Sequence, residues 1–344
     1  MNLENLFPKS VQMRASDLHL IAGLPPFIRV DGQLQELQKE AITALDLEKL
    51  AKTLLDEGKF KKFTIEKEID FAYESADHSR FRINLHFEKN NIGLSARAIP
   101  SQIPTMEDLE MPEMVYNLCN LDGGLILVTG PTGCGKSSSL AAMIDYINKS
   151  RRTNIVTLED PIEFLFTPSK SIIRQRQLGS DMLSFQNGLI HVLRQDPNVI
   201  MVGEMRNLET IATTITLAET GHLVFATLHT YSASQTIDRI IDIFPPHQQN
   251  QIRMQISITL KGIIAQKLLP KEGGGRVAAR EILINNPAIS NLIRENKISQ
   301  IKTAIQTSAK EGMMSMDNYL LSLFKKGYIS KETMENHITV QRSF

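Results

Sequence analysis

The residues best suited to chemistry form a glycine-rich segment near the middle of the chain. It consists of eight consecutive positions: Gly130, Pro131, Thr132, Gly133, Cys134, Gly135, Lys136 and Ser137. Their order fits the pattern G-x-x-x-x-G-K-[ST], whose glycines let backbone N–H groups surround a phosphate. The positive end of a following helix would favour the same anion. The segment, together with Ser138, predicts a site for ATP and Mg²⁺, in which Lys136 contacts the β- and γ-phosphates and Ser137 ligates the metal. A flexible glycine turn is the weaker alternative.

Two acidic segments follow short apolar runs that we predict to be strands of one sheet. The first begins with Glu159 and Asp160, whose carboxylates we expect to hold Mg²⁺, directly or through water, or to position the attacking water. The second ends at Glu204, which is placed to take a proton from the water that attacks the γ-phosphate. Gly203 stands where many phosphate-loop enzymes carry an Asp. Metal binding is therefore expected to depend on the loop hydroxyl and on the first acidic segment.

Two histidines, His222 and His229, bracket a further apolar run at 223–228. Their separation is odd, so in a strand they would face opposite sides unless one of them lies past the strand end. We expect one to sense the γ-phosphate and the other to contact a neighbouring element. A purely structural role for a histidine at such a place is the alternative.

The elements that must position these residues alternate in type. The runs Leu125–Thr129, Ile155–Leu158, Val199–Val202 and Leu223–Thr227 are nearly continuous apolar segments, typical of strands buried on both faces of a parallel sheet. Predicted helices at 137–148 and 209–220 lie between them. This alternation predicts an open α/β sheet. Past residue 280 the pattern becomes helical, with Asn286 as the cap of one helix and a stripe that starts at Met316 in another.

The N-terminal part has a different pattern of apolar and polar residues, which predicts a small α+β domain. Strands are expected at Asp17–Ile21, Phe27–Val30, Arg80–Phe87 and Gly93–Ile99, with a turn at Asp31-Gly32 and a helix capped by Thr43. Prolines at 100, 104 and 112 mark a connector. We therefore predict a domain over 1–99, a linker over 100–118 and an ATPase domain over 119–344, whose C-terminal helical region begins at about 280.

Composition excludes several classes of protein. The 344 residues carry 38 Lys+Arg and 38 Asp+Glu, so no basic field indicates a nucleic-acid partner. Two cysteines cannot form a disulfide framework or a four-cysteine zinc site. Without a signal segment or an apolar run that would span a bilayer, the sequence predicts a cytoplasmic protein.

At this point the chain resembles the type IV pilus retraction ATPases (the PilT family) among the secretion-superfamily ATPases. The resemblance is essentially end to end, and its segments are Ala15–Leu20, the phosphate loop, Glu159–Glu163, Gly203–Arg206, Gly221–Thr230, Asp238–Ile241 and Ala288–Glu295. The last resembles a retraction signature, with Ser290 where an Arg is usual. Ser138 and Ala226 also replace residues that the family often has as Thr and Gly. These departures put only the subtype in question.

The resemblance implies more than the spacing does. It implies a PAS-like first domain, a RecA-like second domain and a homohexameric ring that powers pilus retraction. Glu204 would be the catalytic acid, Glu163 the acidic-box glutamate, and His222 and His229 the histidine box. It offers Arg80, Arg82 and Arg97 as charge-stabilising arginines near the γ-phosphate, although a solvated charged face is the alternative.

Partners and competing functions follow from the same resemblance. An inner-membrane platform protein of the pilus would be a partner and would hold the ATPase peripherally at that membrane. A second retraction ATPase would be another partner. The alternatives are an accessory retraction paralogue, an extension or type II secretion ATPase and, in a different class, a nucleic-acid translocase.

Overall fold

A computed structural model describes residues 3–30, 32–99 and 102–338, which form two compact units. The first unit comprises Met1–Gln102 and also Pro161–Leu165; the second comprises Ile103–Asp160 and Phe166–Phe344. Asp31 of the predicted turn and Pro100 of the predicted connector lie outside the described residues. Among the residues that are described, no helix combines the length and the apolarity needed to cross a lipid bilayer.

The first unit contains a six-stranded antiparallel sheet with the order β3-β2-β1-β6-β5-β4. Its strands are β1 Asp17–Leu20, β2 Phe27–Val30, β3 Gln33–Glu36, β4 Glu68–Glu74, β5 Arg80–Glu88 and β6 Asn91–Ile99. The four predicted strands are confirmed. Strands β3 and β4 were not predicted. Strand β3 is exposed at every position and shows no apolar alternation. Strand β4 does alternate, with Ile69, Phe71 and Tyr73 packed towards the core, so it was missed although its pattern was present.

The apolar face of this sheet is covered by helices. They are α1 Leu6–Gln12, α2 Ala44–Leu54 and α3 Glu57–Glu66. Thr43 caps α2 as predicted: its hydroxyl accepts from the Asp46 N–H, and the Asp46 carboxylate accepts from the Thr43 N–H. Phe81 of β5 is fully buried, and its ring lies 5.0 Å from that of Phe7 on α1. Ile83 and Leu85, at every second position after Phe81, are buried in the same core.

The second unit contains a seven-stranded sheet with the order β13-β12-β7-β11-β10-β8-β9. Its strands are β7 Gly124–Thr129, β8 Asn154–Glu159, β9 Ile172–Gln177, β10 Val199–Val202, β11 Leu223–Leu228, β12 Leu260–Pro270 and β13 Arg276–Ile284. All neighbours are parallel except β12 and β13. The four predicted buried strands are confirmed. The prediction of helix from residue 280 was wrong for 280–284, because β13 continues through them as the antiparallel edge partner of β12.

Helices cover both faces of this sheet and continue to the C-terminal region. They are α4 Glu113–Cys119, α5 Lys136–Ser150, α6 Phe185–Val192, α7 Leu208–Glu219, α8 Ala233–Asp242, α9 Pro246–Thr259, α10 Pro287–Arg294, α11 Ile301–Thr307, α12 Met316–Lys325 and α13 Lys331–Glu335. The predicted cap is confirmed, since the Asn286 side chain accepts from the Ile289 N–H. Residues 113–118, predicted as part of a linker, belong to the helix α4, which packs on α5.

Candidate active site

The topology of the second sheet brings the predicted site residues to one edge. Strands β7, β11, β10 and β8 are adjacent and parallel, so their carboxyl ends lie side by side. The phosphate loop follows β7, His229 follows β11, Glu204 follows β10 and Asp160 follows β8. Ligands of open α/β sheets bind at this edge.

The phosphate loop has the backbone shape that its glycines permit. Gly130, Gly133 and Gly135 have φ angles of +143°, +77° and +89°, and α5 begins directly afterwards at Lys136. A side chain at Gly130 would also collide with the Gln266 carbonyl oxygen and the Cys134 Sγ. The loop therefore requires glycine for conformation and for space.

Lys136 lies over this loop. Its ammonium donates to the carbonyl oxygens of Gly130 at 2.7 Å and Pro131 at 3.1 Å. It also lies 3.5 Å from Nδ1 of His229. The positive charge is thus placed where phosphate oxygens bound by the loop would lie, and it touches the end of the neighbouring strand β11.

Both carboxylate oxygens of Glu204 have partners. Oε1 lies 3.0 Å from Nε2 of His229, and Oε2 lies 3.0 Å from Nε of Arg206. Arg206 also approaches Oδ2 of Asp160 at 3.6 Å. One tautomer of His229 satisfies both of its contacts: a proton on Nε2 donates to Glu204, and the lone pair on Nδ1 faces Lys136. The result is a continuous chain of polar contacts from the loop lysine to the acidic segment after β8.

The backbone before Glu204 is fixed between two strands. The Gly203 N–H donates to the Leu158 carbonyl at 2.8 Å, and the Thr227 hydroxyl donates to the Gly203 carbonyl. A Cβ at Gly203 would lie 3.1 Å from the Leu158 carbonyl oxygen, which is closer than ordinary contact. A side chain at position 203 would therefore crowd the end of β8, and the acid of this chain stands one residue later, at Glu204.

The acids after β8 differ in exposure. Glu159 is 7% exposed, and its Oε1 accepts from the Thr157 hydroxyl at 2.6 Å and from Gln175 Nε2 at 3.0 Å. Direct ligation of a metal by Oε1 would have to compete with these bonds. The Asp160 side chain is 30% exposed and can present oxygen to solvent. Within the described ranges, no group of three or more His, Cys, Asp or Glu side chains is arranged to hold a metal. Mg²⁺ bound with a nucleotide needs only one or two protein oxygens, because phosphates and waters supply the rest.

His222 is not brought to this site. It precedes β11, whereas the phosphate loop follows β7, so the six-residue strand of about 20 Å separates the two. Its Nδ1 lies 3.1 Å from both the Thr220 hydroxyl and the Leu217 carbonyl. The residue borders a cleft of about 380 Å³ that includes Arg151 and Arg152. Both histidines lie past the ends of β11, so the expectation of opposite strand faces does not apply.

The predicted arginines and Glu163 belong to the first unit. Arg80 donates to the Glu163 carbonyl at 2.9 Å and to the Ile162 carbonyl at 3.2 Å, so it engages the backbone of the acidic box. Arg97 pairs with Asp17 at 3.0 Å, and Arg82 lies opposite Arg97 in the strand register. Asp17 thus compensates part of the positive charge that these arginines carry.

Two further residues contact the site and were not predicted. Arg206 lies two residues after Glu204, and the sequence indicated it only as the last residue of the segment Gly203–Arg206. Gln266 on β12 contacts the loop from 132 positions away, and its only signal is a polar side chain within an apolar run.

A phosphate loop between a buried parallel strand and a helix, with a carboxylate from a neighbouring strand, defines the chain as a P-loop ATPase. Residues 105–273 match the family model described as type II/IV secretion system protein. The chain is 44% identical over 344 residues to the type IV pilus retraction ATPase PilT of Pseudomonas aeruginosa, covering all of both chains. It is 37% identical over 338 residues to the type IV pilus ATPase PilU of the same organism, covering 98% of this chain and 88% of PilU.

Solved structures agree with the sequence comparisons. A crystal structure of the pilus retraction motor PilT with bound ADP superimposes with a TM-score of 0.90 at 43% identity, covering 100% of this chain and 99% of that one. The ATPase DotB of Legionella pneumophila gives 0.82 at 26% identity, covering 95% and 92%. The chain therefore belongs to the PilT family of pilus retraction ATPases. The predicted fold class is confirmed: a RecA-like ATPase domain with a smaller N-terminal domain and C-terminal helices.

Proposed function

We propose that this chain hydrolyses ATP to power retraction of a type IV pilus, as a homohexameric motor. The observation that carries the proposal is the contact chain in which His229 joins Lys136 to Glu204, on a chain that aligns with a pilus retraction ATPase over its full length. The bound ADP in the related PilT structure supports ATP and ADP as the nucleotides.

The proposed mechanism starts at the phosphate loop. Backbone N–H groups and the start of α5 bind the phosphates, and Lys136 exchanges the loop carbonyls for β- and γ-phosphate oxygens. Glu204, oriented by His229 and Arg206, accepts a proton from the attacking water. Release of the products then permits the movement that the ring performs on the pilus.

Mg²⁺ fits the oxygen donors at this edge of the sheet. Ser137 offers a hydroxyl, and Asp160 offers a partly exposed carboxylate. The carboxylate of the adjacent Glu159 is buried. When bound, the metal would neutralise charge on the phosphates. Arg206, which approaches Asp160, keeps that carboxylate near the site.

The roles of the first-unit residues are proposals from the family resemblance. Arg80, Arg82 and Arg97 would stabilise charge on the γ-phosphate in the transition state. Because Arg80 binds the backbone at Glu163, we propose that these two residues act together. His222 lies at the far end of β11 from the loop and contacts Thr220 and the Leu217 carbonyl, so a structural role is proposed for it.

The experiment is complementation of a strain that lacks its own retraction ATPase. We expect the chain alone to restore twitching motility, and Lys136→Ala and Glu204→Gln to fail although both accumulate to normal levels. Motility restored by the Glu204→Gln variant would overturn the proposal.

An accessory role is the second candidate, favoured by the similarity to PilU. It predicts restored motility only when another retraction ATPase is present. A nucleic-acid translocase predicts hydrolysis that DNA stimulates with steep salt dependence, whereas we expect no effect of DNA. An extension or secretion ATPase predicts restored pilus assembly in a strain without its extension motor.

The remaining partners are proposals of the same kind. An inner-membrane platform protein would receive the movement and hold the ring peripherally at the membrane. Co-purification with membranes that depends on that protein would test this.

A further inference from the structure

The side chain of Gln266 connects the strand β12 to the phosphate loop. It is 2% exposed, and both ends of its amide are bonded. Nε2 donates to the Cys134 carbonyl at 2.9 Å, and Oε1 accepts from the Ser139 hydroxyl at 2.9 Å. A carbonyl only accepts, so the contact with Cys134 fixes which end of the amide is nitrogen. Gln266 thus holds the last turn of the loop and the first turn of α5 simultaneously.

The position of Gln266 in the sheet makes this contact possible. The last residue pair between β12 and β7 is Ala265 with Thr129, so Gln266 stands level with Gly130, where the loop begins. A side chain at Gly130 would collide with the Gln266 carbonyl oxygen. The start of the loop is therefore packed directly against the backbone of β12. The Gln266 side chain contacts the end of the loop, at Cys134.

Holding the Cys134 carbonyl also orients the next N–H group. The carbonyl of Cys134 and the N–H of Gly135 belong to one planar trans peptide, in which they point in opposite directions. Because Gln266 binds the carbonyl from the side of β12, the Gly135 N–H is directed away from β12. A phosphate held by the loop on that side would accept a hydrogen bond from this N–H.

We propose that Gln266 is a positioning residue for nucleotide binding, which aims the Gly135 N–H at a nucleotide phosphate by holding the Cys134 carbonyl. This inference depends on the loop being the nucleotide site and does not depend on pilus retraction. It applies to ADP and ATP equally, since both carry the phosphate that the loop encloses.

Binding of ADP to the purified full-length chain tests the proposal through three variants. Gln266→Met removes both hydrogen bonds at similar volume and should weaken ADP binding about tenfold. In ATP hydrolysis it should raise KM by a similar factor and leave kcat within about threefold, because the contact is made before and during the reaction. Ser139→Ala is the matched control: it removes one bond but leaves the Cys134 carbonyl held, so affinity should stay within about threefold of wild type.

Gln266→Glu gives a readout that packing alone would not produce. A protonated carboxyl can donate to the Cys134 carbonyl, whereas a carboxylate cannot, and burial favours the protonated form. Relative to wild type at the same pH, this variant should bind ADP normally at pH 5.5 and about tenfold more weakly at pH 8.5.

Failure of the proposed role of Gln266 and failure of the nucleotide-site assignment would give different results. If wild type binds ADP and Gln266→Met binds it equally well, the proposal is overturned and the ATPase assignment stands. Should Gln266→Glu fail to fold at high pH, shown by circular dichroism, the Gln266→Met comparison decides. Absence of ADP binding by folded wild type would instead overturn the nucleotide site itself.

Discussion

His229 offers a sharp test of how Glu204, the proposed base, is oriented. Its Nε2 donates to Glu204 at 3.0 Å, and its Nδ1 faces Lys136 at 3.5 Å. Asn places an amide near the position of Nδ1, and Gln places one near the position of Nε2. His229→Asn should therefore lose the donor to Glu204, and His229→Gln should keep it.

The expected fall in kcat follows from the strength of the hydrogen bond between His229 and Glu204. A hydrogen bond to a charged group contributes about 1.5–3 kcal/mol. The two side chains are 45% and 27% exposed, so solvent competes for the bond and the lower end applies. A loss of about 1.5 kcal/mol corresponds to roughly a tenfold fall in kcat for His229→Asn, and looser orientation of the acid could extend it towards a hundredfold. His229→Gln should stay within about threefold of wild type.

The assay is steady-state phosphate release from ATP, with ADP affinity and the free energy of unfolding as controls. Because His229 is half-exposed, we expect the free energy of unfolding to change by less than about 1 kcal/mol in either variant. Wild-type kcat in His229→Asn would show that the hydrogen bond from His229 does not orient Glu204 for hydrolysis. So would equal losses in both variants, since the donor to Glu204 would then not be the group that matters.

Two further predictions concern titrating groups. Burial alone would raise the pKa of Asp17, but bonds from Ser16 and Arg97 outweigh it and hold that pKa below its usual value. A lowered folded pKa gives stability that is present above about pH 4 and is lost as the pH falls through the folded value. Asp17→Asn should therefore be less stable than wild type at pH 7 in urea unfolding, with a difference that shrinks at pH 3; a constant difference would contradict this. Burial raises the pKa of Cys134, and raises that of Cys119 to about 12. Both thiols should react slowly with Ellman's reagent at pH 7.5 and fully in denaturant, and rapid reaction of the native protein would count against the buried positions.

Local patterns in the sequence predicted the elements that bind phosphate. The run before Gly130 is continuous and apolar because β7 is buried on both faces. The spacing of the glycines indicates backbone angles that other residues rarely adopt. The caps at Thr43 and Asn286 could be predicted equally well, because each cap depends on residues within four positions of the sequence.

Contacts between distant segments were not predictable in this way. Gln266 touches the loop only because β12 lies next to β7, a choice of strand order that no local pattern encodes. The pairing of Asp17 with Arg97 depends similarly on the register of β1 with β6. His222 was a different case: since β11 runs parallel to β7, a residue before it must lie at the opposite edge of the sheet from the loop. Strand direction alone would have separated it from His229.

We propose that Glu204 is the base for hydrolysis of a nucleotide held by the loop. Glu204→Gln keeps the shape of the side chain and its place beside His229 but removes the proton acceptor. Single-turnover hydrolysis of ATP should slow by about a hundredfold or more in this variant, while ATP binds with unchanged affinity. Hydrolysis at the wild-type rate would contradict the account.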